Sequence, residues 1–303
     1  MMKFLTASLL MSLLLPASVT FGQARYNSDD PYFSSNINVE IGTSLGLMNC
    51  LTDLGGSKGT GKMFLKDVNW SNSKFCGSIY VNIALKRGIV FRGDMTWGGI
   101  RASDGVLSKV KESTAGRYDR NLSFRSSIYD LMVGVEIHPL YFKKYYPGQK
   151  LPRVSPYILG GIGFFTFNPQ AKLDSTWIDL QPLSTEGQGF AEYPERKTYK
   201  LKQFNVPFGG GLRFKISPQV NFSAECVYRL LNTDYLDDVS TTYIDKSLFP
   251  KYLTGETLNH ALALYDRKKE INPTNNSNVN DIRGNPKVND SYFTINFKIG
   301  VVF

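Results

Sequence analysis

The chain reads as all-β: an eight-stranded antiparallel transmembrane β-barrel with long extracellular loops, one carrying a short helix. Three observations predict it. The last twelve residues (YFTINFKIGVVF) place Phe293, Ile295, Phe297, Ile299, Val301 and Phe303 on one side of a strand. Tyr292, Thr294, Asn296, Lys298, Gly300 and Val302 fall on the other, because successive strand side chains point to opposite faces. Similar alternation recurs seven times upstream, with short and long connections taking turns. Finally, no later stretch holds 18 consecutive apolar residues, so helical spans are excluded. An exported chain without spanning helices can still cross a membrane as a closed barrel.

The N-terminus predicts export. Met1, Met2 and Lys3 form a positive start, and Leu5 to Leu15 is an apolar run too short to span. Small residues follow, with cleavage sites after Gly22 or Ala24. Residues 1–22 are therefore expected to be a signal peptide, 23–35 a short periplasmic segment, and 36–303 the barrel domain. Loss of 1–22 removes one Lys and lowers the formal charge from +9 to +8. A positive balance suits contact with anionic lipid headgroups. Cys50, Cys76 and Cys226 are odd in number and far apart, so no complete disulfide framework is implied. A Cys50–Cys76 pair and three unpaired small residues both remain open.

Each strand follows from its pattern. Residues 36–48 put Ile37, Val39, Ile41, Leu45 and Leu47 opposite Asn38, Glu40, Gly42 and Ser44. Residues 75–85 align Ile79, Val81, Ile83 and Leu85. After a tight turn at Arg87 and Gly88, residues 89–100 set Ile89, Phe91, Met95 and Trp97 against Arg92, Asp94 and Thr96. Residues 126–138 set Tyr129, Leu131, Val133, Val135 and Ile137 against Asp130, Glu136 and His138. The fifth strand, 156–167, is Gly-rich and leaves its facing open. Residues 199–216 oppose Phe204, Val206, Phe208, Leu212 and Phe214 to Gln203, Asn205 and Arg213. Residues 220–230 oppose Phe222, Ala224, Cys226, Tyr228 and Leu230 to Asn221, Ser223, Glu225 and Arg229. The C-terminal strand is the eighth, and an even number returns both ends to the periplasm.

The connections near 49–74, 102–125, 168–198 and 231–289 are long, as extracellular loops should be. The last holds helical spacing over 256–269, with Leu258, Leu262 and Tyr265 on one face, then a polar run. One connection breaks the asymmetry. Residues 139–154 (PLYFKKYYPGQKLPRV) are long, basic and aromatic, yet fall on the periplasmic side. Their Lys143, Lys144, Tyr145, Tyr146, Lys150 and Arg153 read either as an interfacial belt or as a docking surface.

Barrel size limits function. Eight strands enclose room for side chains but no open pore. The inward set includes Asp94, Asp130, Glu136 and Glu225 with Arg92, Arg213 and Arg229. Buried charges persist only when paired, so an internal salt-bridge network is expected. Chemistry-bearing motifs are sparse. The GSKGTGK run at 56–62 imitates a phosphate-binding loop, but Met63 stands where Ser or Thr belongs, and no strand-to-helix setting surrounds it. His138 and His260 lack a recognisable nucleophile setting. No cofactor, nucleotide or nucleic-acid partner and no enzymatic activity is expected. Asp234, Asp237 and Asp238 gather in one turn. They read as a solvated acidic loop making local turns, with Ca²⁺ binding as the sharper alternative.

Several long segments carry a family resemblance. PLSTEGQG (182–189), YPERKTY (193–199), GGGLRF (209–214), TDYLDDVSTTY (233–243), RGNP (283–286) and NDSYF (289–293) together resemble the PorG-like family of type IX secretion outer-membrane proteins. The likeness implies a small outer-membrane barrel that associates with the periplasmic ring proteins of the secretion apparatus and serves export or gliding. It implies no catalytic residues, and it gives 139–154 more weight as a docking surface. The competing reading is an independent cell-surface barrel whose loops bind ligands or other surfaces.

Overall fold

The computed structural model describes residues 37–56, 68–86, 88–114, 116–142 and 152–303, without the side chains of 86 and 109–113. The expected signal peptide, segment 23–35, most of the phosphate-loop mimic, and Lys143, Lys144, Tyr145, Tyr146 and Lys150 lie outside the described residues.

Among the described residues ten strands form: β1 (Asn38–Leu51), β2 (Lys74–Lys86), β3 (Ile89–Ser103), β4 (Ser123–Ile137), β5 (Val154–Thr166), β6 (Gln170–Leu173), β7 (Thr176–Asp179), β8 (Lys202–Lys215), β9 (Val220–Leu231) and β10 (Ser291–Val302). Eight of them run in the order β3-β2-β1-β10-β9-β8-β5-β4, and the β3–β4 pairing closes the cylinder. All these pairings are antiparallel, and β10 seals against β1 from Glu40↔Val302 to Leu51↔Ser291. The Phe303 amide adds a hydrogen bond to the Val39 carbonyl at 2.8 Å. Closure leaves every ladder paired, which a lipid environment demands.

The expected facing holds on the assigned strands except that Phe293, read as outward, is only 1% exposed and carries the Trp70 ring at 6.1 Å. Phe75, Leu45 and Phe204 are 87%, 74% and 73% exposed, and Phe91, Leu131, Ile162, Phe297 and Phe303 also point outward. The open question of the fifth strand is answered: Tyr157, Leu159, Gly163 and Phe165 face inward, and Ile158, Ile162 and Phe164 outward. The turn between β2 and β3 uses Gly88 at φ +84°, a conformation that side chains disfavour. Glycines also make room inside. A Cβ on Gly42 or Gly300 would collide with the Tyr80 hydroxyl.

The connections differ from expectation in two respects. The third long loop carries its own hairpin, β6–β7, which bridges to β4 at Arg125↔Gln170. The loop helix spans Gly255–Leu264, and it packs through Ala261 and Leu264 while Leu262 is 39% exposed. Of the expected face, Tyr265 lies in the cap core and Leu258 packs against it, whereas Leu262 points away and Ala261 and Leu264 take its place. Cys50, Cys76 and Cys226 are all free thiols, with Cys226 on the outer face.

A sealed lumen beneath an ordered cap as candidate functional site

Alternation delivers five carboxylates to the barrel interior, Glu40, Asp94, Asp130, Glu136 and Glu225, and four cations, Arg92, Arg213, Arg229 and Lys298. All are at most 5% exposed. Arg92 sits between Glu136 and Glu225, reaching the latter at 2.8 Å. Arg213 meets Glu136 at 2.8 Å, and Arg229 meets Asp130 at 2.5 Å. Lys298 lies 3.4 Å from Glu225 and over the Tyr80 ring at 3.8 Å. Tyrosines fill the gaps. Tyr157 donates to Glu225 at 2.6 Å and Tyr80 to Glu40 at 2.8 Å. The expected network is present, and Glu40 and Lys298 join it.

At the end where β1 begins and β10 finishes the lumen is stoppered. His138 is fully buried, with Nε2 3.2 Å from Glu136 and Nδ1 3.1 Å from Ser155 Oγ. Acid, imidazole and hydroxyl thus stand in line. Yet Tyr141 stacks on the imidazole at 5.5 Å and Tyr157 tilts against it at 5.1 Å. Both ring nitrogens are engaged and two tyrosine rings pack against the imidazole, which is wholly buried. Tyr141 belongs to the turn Pro139–Phe142 that opens the 139–154 connection. Arg153, at its far end, is exposed.

At the opposite end the long loops fold over the barrel and share a core. Leu183, Phe190, Tyr199, Leu236, Val239, Tyr243, Ile244, Phe249 and Leu264 pack there continuously with Phe165 and Phe167 from the barrel rim. Polar groups tie distant segments together. Glu186 accepts from the amides of Ser240 and Thr241 at 3.0 and 2.9 Å, and from Arg283 at 2.9 Å. Arg196 donates to the carbonyls of Glu186 and Thr242 at 2.9 and 3.0 Å. Arg120 holds Asp104 at 2.8 Å and reaches the Asp53 and Arg283 carbonyls.

The acidic turn corrects the sequence reading. Asp237 and Asp238 are fully buried and Asp234 is 8% exposed, so this is no solvated loop. Asp238 accepts from Thr185 at 2.6 Å and Tyr199 at 2.8 Å. Burial pushes its carboxyl up to about 6 despite those donors and the nearby Arg283. Asp237 accepts from the amides of Leu54 and Val239 at 3.1 and 3.0 Å. It too is raised, by burial first and by the charge of Asp53 second. Spacing alone misleads here because the turn's hydrogen-bond partners come from two other loops, and nothing in its own residues shows them. Glu186, Arg196 and Arg283 escape notice as cap-forming residues for the same reason, although all three lie in the family-like segments.

No protein-family description and no curated protein matches this chain. Solved structures that align along most of it include the outer membrane protein OprG from Pseudomonas aeruginosa, 9% identical, covering 90% of this chain and 98% of that one with a TM-score of 0.40. Ail of Yersinia pestis, solved with the heparin analogue sucrose octasulfate, is 10% identical over 88% and 97% of the two chains, TM-score 0.35. A major outer membrane protein from Thermus thermophilus is 10% identical over 88% and 99%, TM-score 0.34. The chain's own geometry decides its class. A closed cylinder with an apolar exterior and a charged, paired interior is the inverse of a soluble protein and suits only lipid outside. This chain is an eight-stranded outer-membrane β-barrel, plugged by its own side chains and capped by ordered loops.

Proposed function

We propose that the barrel is a non-enzymatic component of a type IX secretion machine, exported by a cleaved signal peptide and docked through its periplasmic side to ring proteins. One observation carries the reading. The segments that resemble the PorG-like family, up to about a hundred residues apart in sequence, supply the bonds that build the cap. PLSTEGQG contributes Thr185 and Glu186, YPERKTY contributes Arg196 and Tyr199, TDYLDDVSTTY contributes Asp238, Ser240 and Thr241, and RGNP contributes Arg283. A shared motif set that forms one structural unit supports common descent better than scattered identities would. The filled lumen supports a scaffolding role over a conducting one, because paired charges leave side chains where a pore would need water.

Replacement of Lys143, Lys144, Lys150 and Arg153 by Glu tests the docking side. Co-purification with periplasmic ring proteins should fall while barrel folding is retained. Unchanged recovery of the ring components sinks that surface. A cell-surface binding role is the second reading, favoured by a cleft of about 870 Å³ in the cap rim, where Asn69, Arg117 and Lys268 face Leu230 and Val288. Deleting the chain separates the two: lost secreted cargo supports the first, and lost adhesion with intact secretion supports the second.

A further inference from the structure

The cleft at the cap rim has two unlike walls. One is the outside of the barrel, where Tyr228 and Leu230 of β9 stand opposite Phe293 and Ser291 of β10 at outward positions. The other is built by loop segments that bring Asn69, Asn280, Asn285 and Asn289 to the same space. The cleft therefore opens toward lipid as well as toward water. Three exposed aliphatic side chains line it, Leu230 at 45%, Val288 at 48% and Ile282 at 81%. Single exposed apolar groups are ordinary, but several around one concavity mark a binding surface.

Trp70 fixes the depth of the cleft in the membrane. Its short turn, Trp70–Asn72, folds against the outer wall, where the indole packs edge-on to Phe293 and stays 59% exposed. Asn49 donates to the Asn69 carbonyl at 3.0 Å and Arg101 to the Ser71 carbonyl at 2.7 Å, so both β1 and β3 hold the turn. Phe75 and Phe204 point outward from the same ends of β2 and β8. Such aromatics settle at the headgroup level of a bilayer, and Trp70 adjoins Asn69 of the cleft.

The polar lining selects the headgroup. A carboxamide donates and accepts at once, as sugar hydroxyls do, whereas a bare phosphate calls for surplus cations. The cleft has no such surplus. Lys268 Nζ lies 3.9 Å from Asp281, Arg120 and Arg283 are held by Asp104 and Glu186, and Asp53 and Asp290 bring carboxyls of their own. We propose that the cleft holds the sugar headgroup of an outer-leaflet glycolipid, whose acyl chains descend the outer wall past Leu230. The site is independent of the secretion reading, since a barrel docked to ring proteins or acting alone would carry the same lipid. It gives the cleft to a lipid of the protein's own membrane instead of a ligand from another surface.

Native mass spectrometry of the full-length mature barrel tests this, after incubation in detergent micelles with monophosphoryl lipid A, an acylated glucosamine disaccharide. One retained glycolipid per barrel is expected, preferred about tenfold over phosphatidylglycerol, which is anionic and acylated but lacks a saccharide. Asn280→Gly combined with Asn285→Ala should weaken retention about tenfold, the worth of two ordinary hydrogen bonds. Glycine suits position 280 because φ there is +71°. Val288→Asp, which sets a charge on the acyl path, should weaken retention as much. Asn276→Ala, at an exposed amide outside the cleft, should leave it unchanged. Equal retention of phosphatidylglycerol would mean ordinary boundary lipid and overturns the site, as does retention untouched by both cleft variants. Free disaccharide bound as tightly as the glycolipid overturns the lipid occupant. Should either cleft variant fail to fold, judged by heat-dependent gel mobility, the three wild-type ligand comparisons decide alone.

Discussion

In the lumen, Glu40, Asp94, Asp130, Glu136 and Glu225 are met by Arg92, Arg213, Arg229 and Lys298. In the cap, Asp53, Asp104, Glu186, Asp234, Asp237, Asp238 and Asp290 share the fully buried cations Arg120 and Arg283. The difference follows from how each region is built. Strand alternation projects long side chains into a narrow cylinder, where an acid on one wall meets a base on another. Loop segments meet acids with backbone amides instead, as Leu236 meets Asp290 and Leu54 meets Asp237. Amides supply hydrogen bonds but only partial charge. The lumen is therefore compensated by its own sequence, whereas burial raises the cap carboxyls and favours their protonated forms.

The sharpest way to break the comparison is to uncompensate the lumen. Arg92→Ala leaves Glu136 and Glu225 facing each other with one fewer cation between them. Removing one partner of a buried pair costs about 3–5 kcal/mol. Urea unfolding of the barrel in micelles should register a loss of that size. A loss below about 1 kcal/mol, the range of exposed pairs, would mean that water screens the interior and that the lumen is no better compensated than the cap.

A smaller effect is expected from the corresponding cap change. Glu186→Gln removes the charge facing Arg283 and one acceptor for the Ser240 and Thr241 amides. Each buried group left unsatisfied costs about 1–3 kcal/mol. Proteolysis within 231–289 should quicken while the barrel's unfolding midpoint holds. If the midpoint shifts as much as for Arg92→Ala, cap and barrel are one cooperative unit and the contrast between them fails.

The same contrast explains what could be read from the residues alone. Period-two alternation displayed the barrel, its closure by β10 and most of the charged lumen, because each strand reports its own facing. β5 was illegible since Gly160, Gly161 and Gly163 erase the pattern that Tyr157, Leu159 and Phe165 would otherwise show. In the cap, Glu186 bonds Thr241 across 55 positions and Arg283 across 97. No local period can encode such pairings. The acidic turn accordingly resembled a solvated loop, and the hairpin β6–β7 inside a long connection carried only four residues per strand.

The gentlest test needs no substitution. Raising the pH should loosen the cap and leave the barrel unmoved. Burial raises the Asp238 carboxyl to about 6 from an ordinary 3.8. Asp53, Asp234, Asp237 and Asp290 are raised as well, each by burial first. A carboxyl with a raised folded-state value binds its proton more tightly folded than unfolded, so stability falls as pH rises. Its contribution is complete below about pH 3.8 and is lost as the pH climbs to the folded value, about 6 for Asp238. The loss stays modest because Thr185 and Tyr199 keep donating to the ionised group. Proteolytic nicking in 231–289 should therefore accelerate steadily from about pH 5 to about pH 9. A flat profile, or faster nicking on the acid side, would show that the cap carboxylates are compensated as fully as those of the lumen.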